Sequence, residues 1–151
     1  MPTNPKEYYP PMHTAEHILN QTMIRMFGTE RSFSNHIERK KSKCDYYFNR
    51  DLSEIEREEL QDKINEVINS NLNISKELLD VKEASNYFNL EKIPENSGNE
   101  IGIVKIGNYD SYPCSGVHVK NTSEIGNVRI ISSSFNNKIL RIRFKLENKS
   151  V

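Results

Sequence analysis

The chain has 151 residues, 35% hydrophobic and 28% charged, with 21 basic side chains balancing 21 acidic ones. That size and composition suit one globular domain of about 150 residues with a modest core. No apolar run approaches the ~20 residues that a membrane helix needs, and the proline-punctuated start lacks a signal-peptide core, so a cytoplasmic residence is expected. Two cysteines do not make a disulfide framework.

The balance of charge is global and not local. Residues 1–50 carry 8 basic against 5 acidic groups, residues 51–100 carry 5 against 13, and residues 101–151 carry 8 against 3. The two ends are basic and the middle is acidic. A phosphate-bearing partner fits the basic ends. On charge alone, a solvated acidic helix and ordinary surface lysines also account for the pattern.

In chain order, Pro10 and Pro11 should stop any earlier helix, and the first helix is expected over residues 14–27. Ile18, Leu19, Thr22, Met26 and Phe27 form its apolar stripe, and Gly28 its C-cap. Residues 35–39 and 43–48 read as strands, with Arg39, Lys40, Lys41 and Lys43 between or on them as an edge charge or a phosphate contact. Ser53-Glu54-Ile55-Glu56 is a capping box opening a helix to about residue 70, with Leu60, Ile64, Val67 and Ile68 inward. A short strand starts at Ile74, and Asp80 to Glu83 resembles a second capping box opening a short helix. Residues 94–99 read as loop, 101–106 as strand, and 108–115 as irregular. Residues 128–135 and 139–146 pair as a hairpin through Asn136-Asn137-Lys138. In its second strand Leu140, Ile142, Phe144 and Leu146 share one face, and Ile139, Arg141, Arg143 and Lys145 the other, which means one buried face and one wet face. The expected fold is α+β, a mainly antiparallel sheet with helices packed on one side, over residues 1–151 as a single domain.

Two histidines in His13-Thr14-Ala15-Glu16-His17 stand four residues apart, one helical turn, so both imidazoles can reach one cation. About a hundred residues on, Cys114 and His118 add two more donors of the types zinc prefers. Metal binding by His13, His17, Cys114 and His118 is therefore expected, with Zn2+ as the leading ion. All four together close a tetrahedral site; if one swings free, His118 is the choice, as general base on a water. A thiolate ligand weakens Lewis acidity and favours a metal that positions substrate. The segment from His13 to His17 also fits the inverted zinc-protease pattern, with Glu16 as base, but that reading leaves Cys114 and His118 unused. Cys44 is read as a buried or half-buried thiol without chemistry.

Around these residues the sequence resembles a known family. His13-Thr14-Ala15, His17-Ile18-Leu19 and the stretch from Cys114-Ser115-Gly116-Val117-His118 through Asn121-Thr122-Ser123-Glu124-Ile125-Gly126 resemble the editing domain of alanyl-tRNA synthetase and its free-standing AlaX relatives. Asn35-His36-Ile37, Lys41-Ser42 and Ile130-Ile131-Ser132-Ser133-Ser134 extend the likeness. The related editing domain of threonyl-tRNA synthetase shares the metal motifs but resembles the chain less after His118. The resemblance implies the short AlaX type, one editing (second additional) domain, and trans-editing. Such proteins hydrolyse the ester of mischarged tRNA for alanine, chiefly that bearing serine and in some members glycine. It maps the family's metal ligands onto His13, His17, Cys114 and His118. Val117 stands where the family usually has threonine, which removes a hydroxyl from beside the metal.

A site that hydrogen-bonds the serine hydroxyl can reject alanine, because alanine leaves buried polar groups unpaired. Thr14 and Ser115 are the candidate hydroxyl readers, beside the metal itself. Lys120, Arg129, Arg141 and Arg143 are candidates for tRNA phosphates. His36 is read as a structural histidine, with a hydrogen bond to the terminal adenosine as its functional alternative. Two further readings stay open: a zinc-stabilised RNA-binding module without catalysis, and editing of seryl-tRNA of the threonine type.

Overall fold

The first helix begins on the two prolines expected to precede it. In the computed structural model, which describes residues 9–88 and 99–147, α1 spans Pro10–Phe27 with Pro10 and Pro11 in its opening turn. A first-turn residue has no intrahelical use for its N–H, and proline's fixed φ already suits a helix. Thus the prolines start the helix, and His13 lies inside its first turn with its N–H donating to the Tyr9 carbonyl at 3.1 Å. Gly28 ends the helix at φ 70°, as the sequence suggested. Met12, Ala15, Ile18, Leu19 and Met23 are fully buried on its inner face.

The other elements follow as β1 (Ser34–His36), β2 (Ser42–Tyr47), α2 (Glu54–Ile68), β3 (Ile74–Asp80), α3 (Val81–Ala84), β4 (Glu100–Ile106), β5 (Asp110–Pro113), β6 (Asn127–Asn136) and β7 (Ile139–Glu147). The class is α+β with antiparallel pairing, as expected, but the strands divide between two sheets. One has the order β1-β2-β7-β6 and the other β3-β4-β5. β5 falls in a stretch read as irregular; its side chains, Asp, Ser, Tyr and Pro, show no apolar alternation to announce a strand. Most of the loop expected over residues 94–99 lies outside the described residues.

α1 and α2 cover the inner face of the four-stranded sheet. Cys44 and Tyr46 of β2 and Leu140, Ile142 and Phe144 of β7 meet the buried residues of both helices in one core. The alternation in β7 therefore reads as the sequence implied, with Arg141 on the other face paired to Asp45 across the strands at 2.8 and 2.9 Å. Cys44 is fully buried and its thiol is pushed up by that burial. The hairpin turn places Asn137 and Lys138 at φ 51° and 66°, the left-handed pair that matches strand twist.

The two sheets meet just beyond His118. Ile74 N–H donates to the Lys120 carbonyl at 2.9 Å, and the buried Thr122 hydroxyl accepts from Leu72 N–H and donates to the Ile68 carbonyl. A 3-10 turn over Thr122–Glu124 opens on a capping box of Asn121 and Glu124. That box is the physical content of the Asn-Thr-Ser-Glu run: it fixes the chain that leaves the histidine.

The box at the start of α2 forms as read. Ser53 accepts the Glu56 N–H at 3.1 Å, and Glu56 accepts the Ser53 N–H at 2.9 Å. Replacing Ser53 with alanine should cost about 1 kcal/mol in urea unfolding. Arg50 grips the Glu56 carboxylate at 2.7 and 2.8 Å, and with the Ser53 N–H it pulls the Glu56 pKa from 4.5 to about 2. A depressed carboxylate stabilises above its unfolded pKa and loses that help as pH falls through the folded one. Arg50→Ala should therefore flatten part of the stability loss between pH 4.5 and about 2, modestly because the pair is exposed. Parallel acid titrations followed by circular dichroism would check it.

Candidate metal centre

The histidine pair and the cysteine–histidine pair converge. One donor atom from each of His13, His17, Cys114 and His118 lies within 4.8 Å of every other. Cys114 Sγ is 3.5 Å from His13 Nε2 and 3.4 Å from His118 Nε2. The His13 and His118 rings stack at 4.2 Å, and His17 meets both edge-on. α1 supplies its pair from one helix face; the other pair hangs on the loop after β5, where Cys114 N–H is tied to the Gly102 carbonyl at 3.0 Å.

Two of the three imidazoles are held from behind by their other nitrogen, and the third faces a carboxylate. Nδ1 of His13 faces the Val117 carbonyl at 3.2 Å, and Nδ1 of His118 faces the Thr14 hydroxyl at 2.9 Å. Thr14, fully buried, also accepts the Val119 N–H at 3.2 Å. Nδ1 of His17 looks to Asp110 Oδ2 at 3.6 Å. With Nδ1 of His13 and His118 so engaged, and Nδ1 of His17 turned to Asp110 without a hydrogen bond, the Nε2 atoms of the three rings are left to face a cation alongside the sulfur. Outer partners of this kind fix ring orientation and raise ligand basicity. Thr14→Val keeps the shape but removes the hydroxyl, and should weaken zinc binding roughly 10–100-fold in chelator competition. An unchanged affinity would reduce Thr14 to a space filler.

Asp110 is itself gripped. Arg31 donates to its two oxygens at 2.8 and 3.2 Å and Gln21 to one at 2.8 Å. Burial disfavours the Asp110 carboxylate, but His17, Arg31 and Gln21 outweigh it and hold its pKa far below the usual range. Burial also opposes the His17 cation. The charge of Glu16, then Asp110 and Cys114, overcome that and lift its pKa to about 9. Burial would raise the Cys114 thiol, yet His118, His13 and His17 pull it down to about 3, so the sulfur is a thiolate at neutral pH. An arriving metal ion would displace the His17 proton, as ligand sites generally require.

Two clefts flank the cluster. One, about 230 Å³, is lined by His13, Glu16, His17, Asn20, Arg31, Phe33, Asn35 and Cys114, among others. The second, about 320 Å³, runs past Ser115, Gly116, Val117, His118 and Lys120 to Ile74 and Lys76.

Known proteins give this arrangement its setting. Residues 101–143 match the family model for the threonyl and alanyl tRNA synthetase second additional domain, a span that includes Cys114 and His118. The chain is 28% identical over 121 residues to the chloroplastic/mitochondrial alanine–tRNA ligase of Oryza sativa subsp. indica, covering 80% of this chain and 12% of that protein. It is 28% identical over 123 residues to alanine–tRNA ligase of Bacillus subtilis (strain 168), covering 81% of this chain and 14% of the relative. The chain is thus similar to alanine–tRNA ligases over most of its length, and to the second additional domain of these synthetases over residues 101–143. It spans about one-eighth of the length of the curated relatives it matches.

In this chain the four expected ligands meet, and the other expected site residues divide. Thr14 is turned to His118 and Val119. Ser115 and Lys120 are exposed along the second cleft. His36 is exposed on β1, with Nε2 2.8 Å from a Glu38 carboxylate oxygen. Arg141 is paired to Asp45, Arg143 donates to Ser132 and Ser134, and Arg129 approaches Glu147 at 4.0 Å; none of the three lines either cleft. The Val117 side chain is 56% exposed and serves the cluster through its carbonyl, so the exchange for threonine changes a surface position. Both Cys114 and His118 join the cluster, against the protease pattern.

Sequence reasoning missed Asp110, Arg31 and Gln21, which are far apart in the chain and carry no local signal. Gly116 was within reach, since it sits inside the Cys-x-Gly-x-His spacing. The helical spacing from His13 also points to Glu16 and Asn20.

Proposed function

We propose that the domain is a zinc-dependent aminoacyl-tRNA deacylase, hydrolysing mischarged tRNA for alanine, chiefly that bearing serine and also that bearing glycine. The observation that carries this reading is the convergence of His13, His17, Cys114 and His118 beside a cleft, in a chain similar to alanine–tRNA ligases. Three imidazole nitrogens and a thiolate form a donor set that suits zinc. Bound there, zinc would polarise an ester carbonyl and position a water. An aminoacyl ester is already activated, so the protein's share is largely placement. Water adds at the carbonyl carbon, the bond to the ribose oxygen breaks, and that oxygen takes the proton. His118 is the proposed proton carrier, since its Nε2 is the atom whose release would open the cluster. Asp110 and Thr14 act as positioning residues. Ser115 and Lys120, at the second cleft, and the exposed basic turn over residues 39–41, between β1 and β2, are the proposed contacts for tRNA.

The test is loss of serine from seryl-tRNA of the alanine type by the zinc-loaded chain, against a His13→Ala/His17→Ala control. Absence of hydrolysis above that control would end the proposal. One observation favours a second reading: four protein donors close a tetrahedral site, as structural zinc requires. A zinc-stabilised RNA-binding module would unfold on chelation and bind tRNA in a salt-sensitive way with no turnover. Assaying seryl-tRNA of the threonine type alongside separates the two synthetase specificities.

A further inference from the structure

One acidic side chain in the first cleft takes no part in holding the cluster. His13, Glu16, His17 and Asn20 recur at the first, fourth, fifth and eighth positions of a helical repeat, so they share one face of α1. All four line the cleft of about 230 Å³ that Cys114 closes. Glu16 is 8% exposed. Its carboxylate accepts a close hydrogen bond from Asn20 Nδ2, and Asn20 Oδ1 in turn accepts the Ser32 N–H at 2.8 Å. That chain of bonds fixes the carboxylate in advance of any ligand. Among the described residues Glu16 has no ion pair, and the cation that shares the cleft, Arg31, is spent on both oxygens of Asp110. A nearly buried carboxylate with no direct ion pair is costly, and that cost is recovered when a ligand brings a cation into contact with it.

Resting on the deacylase reading above, we propose that Glu16 anchors the α-ammonium of the aminoacyl ester, which makes esters with a free amino group the substrate class. The chemistry of the substrate fits the layout. In an aminoacyl ester the ammonium nitrogen and the ester carbonyl carbon are two bonds apart, ~2.5 Å. A carbonyl turned to the cluster therefore carries its ammonium along the same wall of the cleft, where Glu16 lies one turn from His13 and next to His17. N-blocked esters, such as peptidyl or formylated ones, lack the cation and bring bulk in its place. Hydroxyacyl esters lack the cation without the bulk.

Two unreactive probes test this: adenosine carrying a seryl group through a 3′-amide, and its glyceryl counterpart with a hydroxyl in place of the ammonium. The full zinc-loaded chain is titrated with each by calorimetry. The wild type should bind the seryl probe at least about tenfold tighter, the worth of one charged hydrogen bond in a desolvated site. Glu16→Gln, near in shape, should bring that ratio close to one by weakening only the seryl probe. Glu16→Asp, which keeps the charge, should retain part of the preference. A wild-type ratio near one overturns the inference without any variant. So does an unchanged ratio in Glu16→Gln, and if its deacylation also falls, Glu16 is a proton acceptor instead. If the wild type binds neither probe and releases no serine from the ester, the deacylase reading itself fails and takes this inference with it.

Discussion

Gly116→Ala should abolish tight zinc binding while leaving the fold in place. A methyl carbon built on Gly116 would lie 2.2 Å from Cε1 and 2.8 Å from Nδ1 of His13. Real contacts of that kind do not occur, so something must shift. Gly116 has no left-handed φ, so glycine is demanded here by the approaching ring and not by the backbone. The ring is the movable partner. Swinging it away breaks the bond to the Val117 carbonyl and takes Nε2 out of line with Cys114 Sγ. Losing one of four ligands should weaken zinc by at least roughly 100-fold, in line with what even outer-partner loss costs. Cobalt substitution gives a direct view: the thiolate charge-transfer and ligand-field bands should change intensity and position. Because Gly116 sits in a partly exposed loop, the metal-free unfolding midpoint should stay near that of the wild type. A cobalt spectrum and chelator competition identical to the wild type would refute the argument.

Asp110→Asn should be the most destabilising single change in the neighbourhood. The Asp110 side chain is fully buried and carries the charge against which Arg31, 14% exposed, is held. Removing one member of a buried pair leaves the other charge uncompensated, at about 3–5 kcal/mol. Arg31 reaches some solvent and also lies over the Tyr112 ring at 3.9 Å, so the lower end, about 3 kcal/mol, is expected. For a chain of this length that is a fall of roughly 6–12 °C in unfolding temperature. The loss should appear with the metal stripped out, because the pair supports the fold in its own right. With zinc present a second loss should follow, since His17 no longer has its carboxylate; about 10–100-fold in affinity is the usual size. Denaturation with and without chelator separates the two. A metal-free midpoint within error of the wild type would show that the Asp110–Arg31 pair contributes little.

How much of this was legible follows from how local each signal is. The ligand pairs were readable because each is compact: four residues apart on a helix, or four apart in a loop. Their meeting was an inference across about a hundred residues, and the chemistry of the four donors was enough to suggest it. The capping box at Ser53, the C-cap at Gly28 and the alternation of β7 were equally local and formed as read. Pro10 and Pro11 misled because proline serves both to end one helix and to open the next, and only the partners of the first-turn N–H groups decide between them. β5 was hidden because Asp110 is buried for its charge and Pro113 closes the strand, so the four-residue strand shows no apolar rhythm. Asp110, Arg31 and Gln21 meet only once α1 and the second sheet have docked, and nothing in any one segment foretells that. Glu16 was legible only as the base of the protease pattern, and the role proposed for it depends on Arg31 being engaged elsewhere.

The way the two histidine segments hold each other bears on any attempt to transplant the centre. The helical imidazole at 13 leans on a carbonyl from the downstream loop, while the loop's imidazole at 118 leans on a hydroxyl from the helix. Each half thus supplies the other's brace. Grafting either motif alone onto a foreign scaffold would import rings with nothing to hold them, so the smallest portable unit is both motifs in their mutual register.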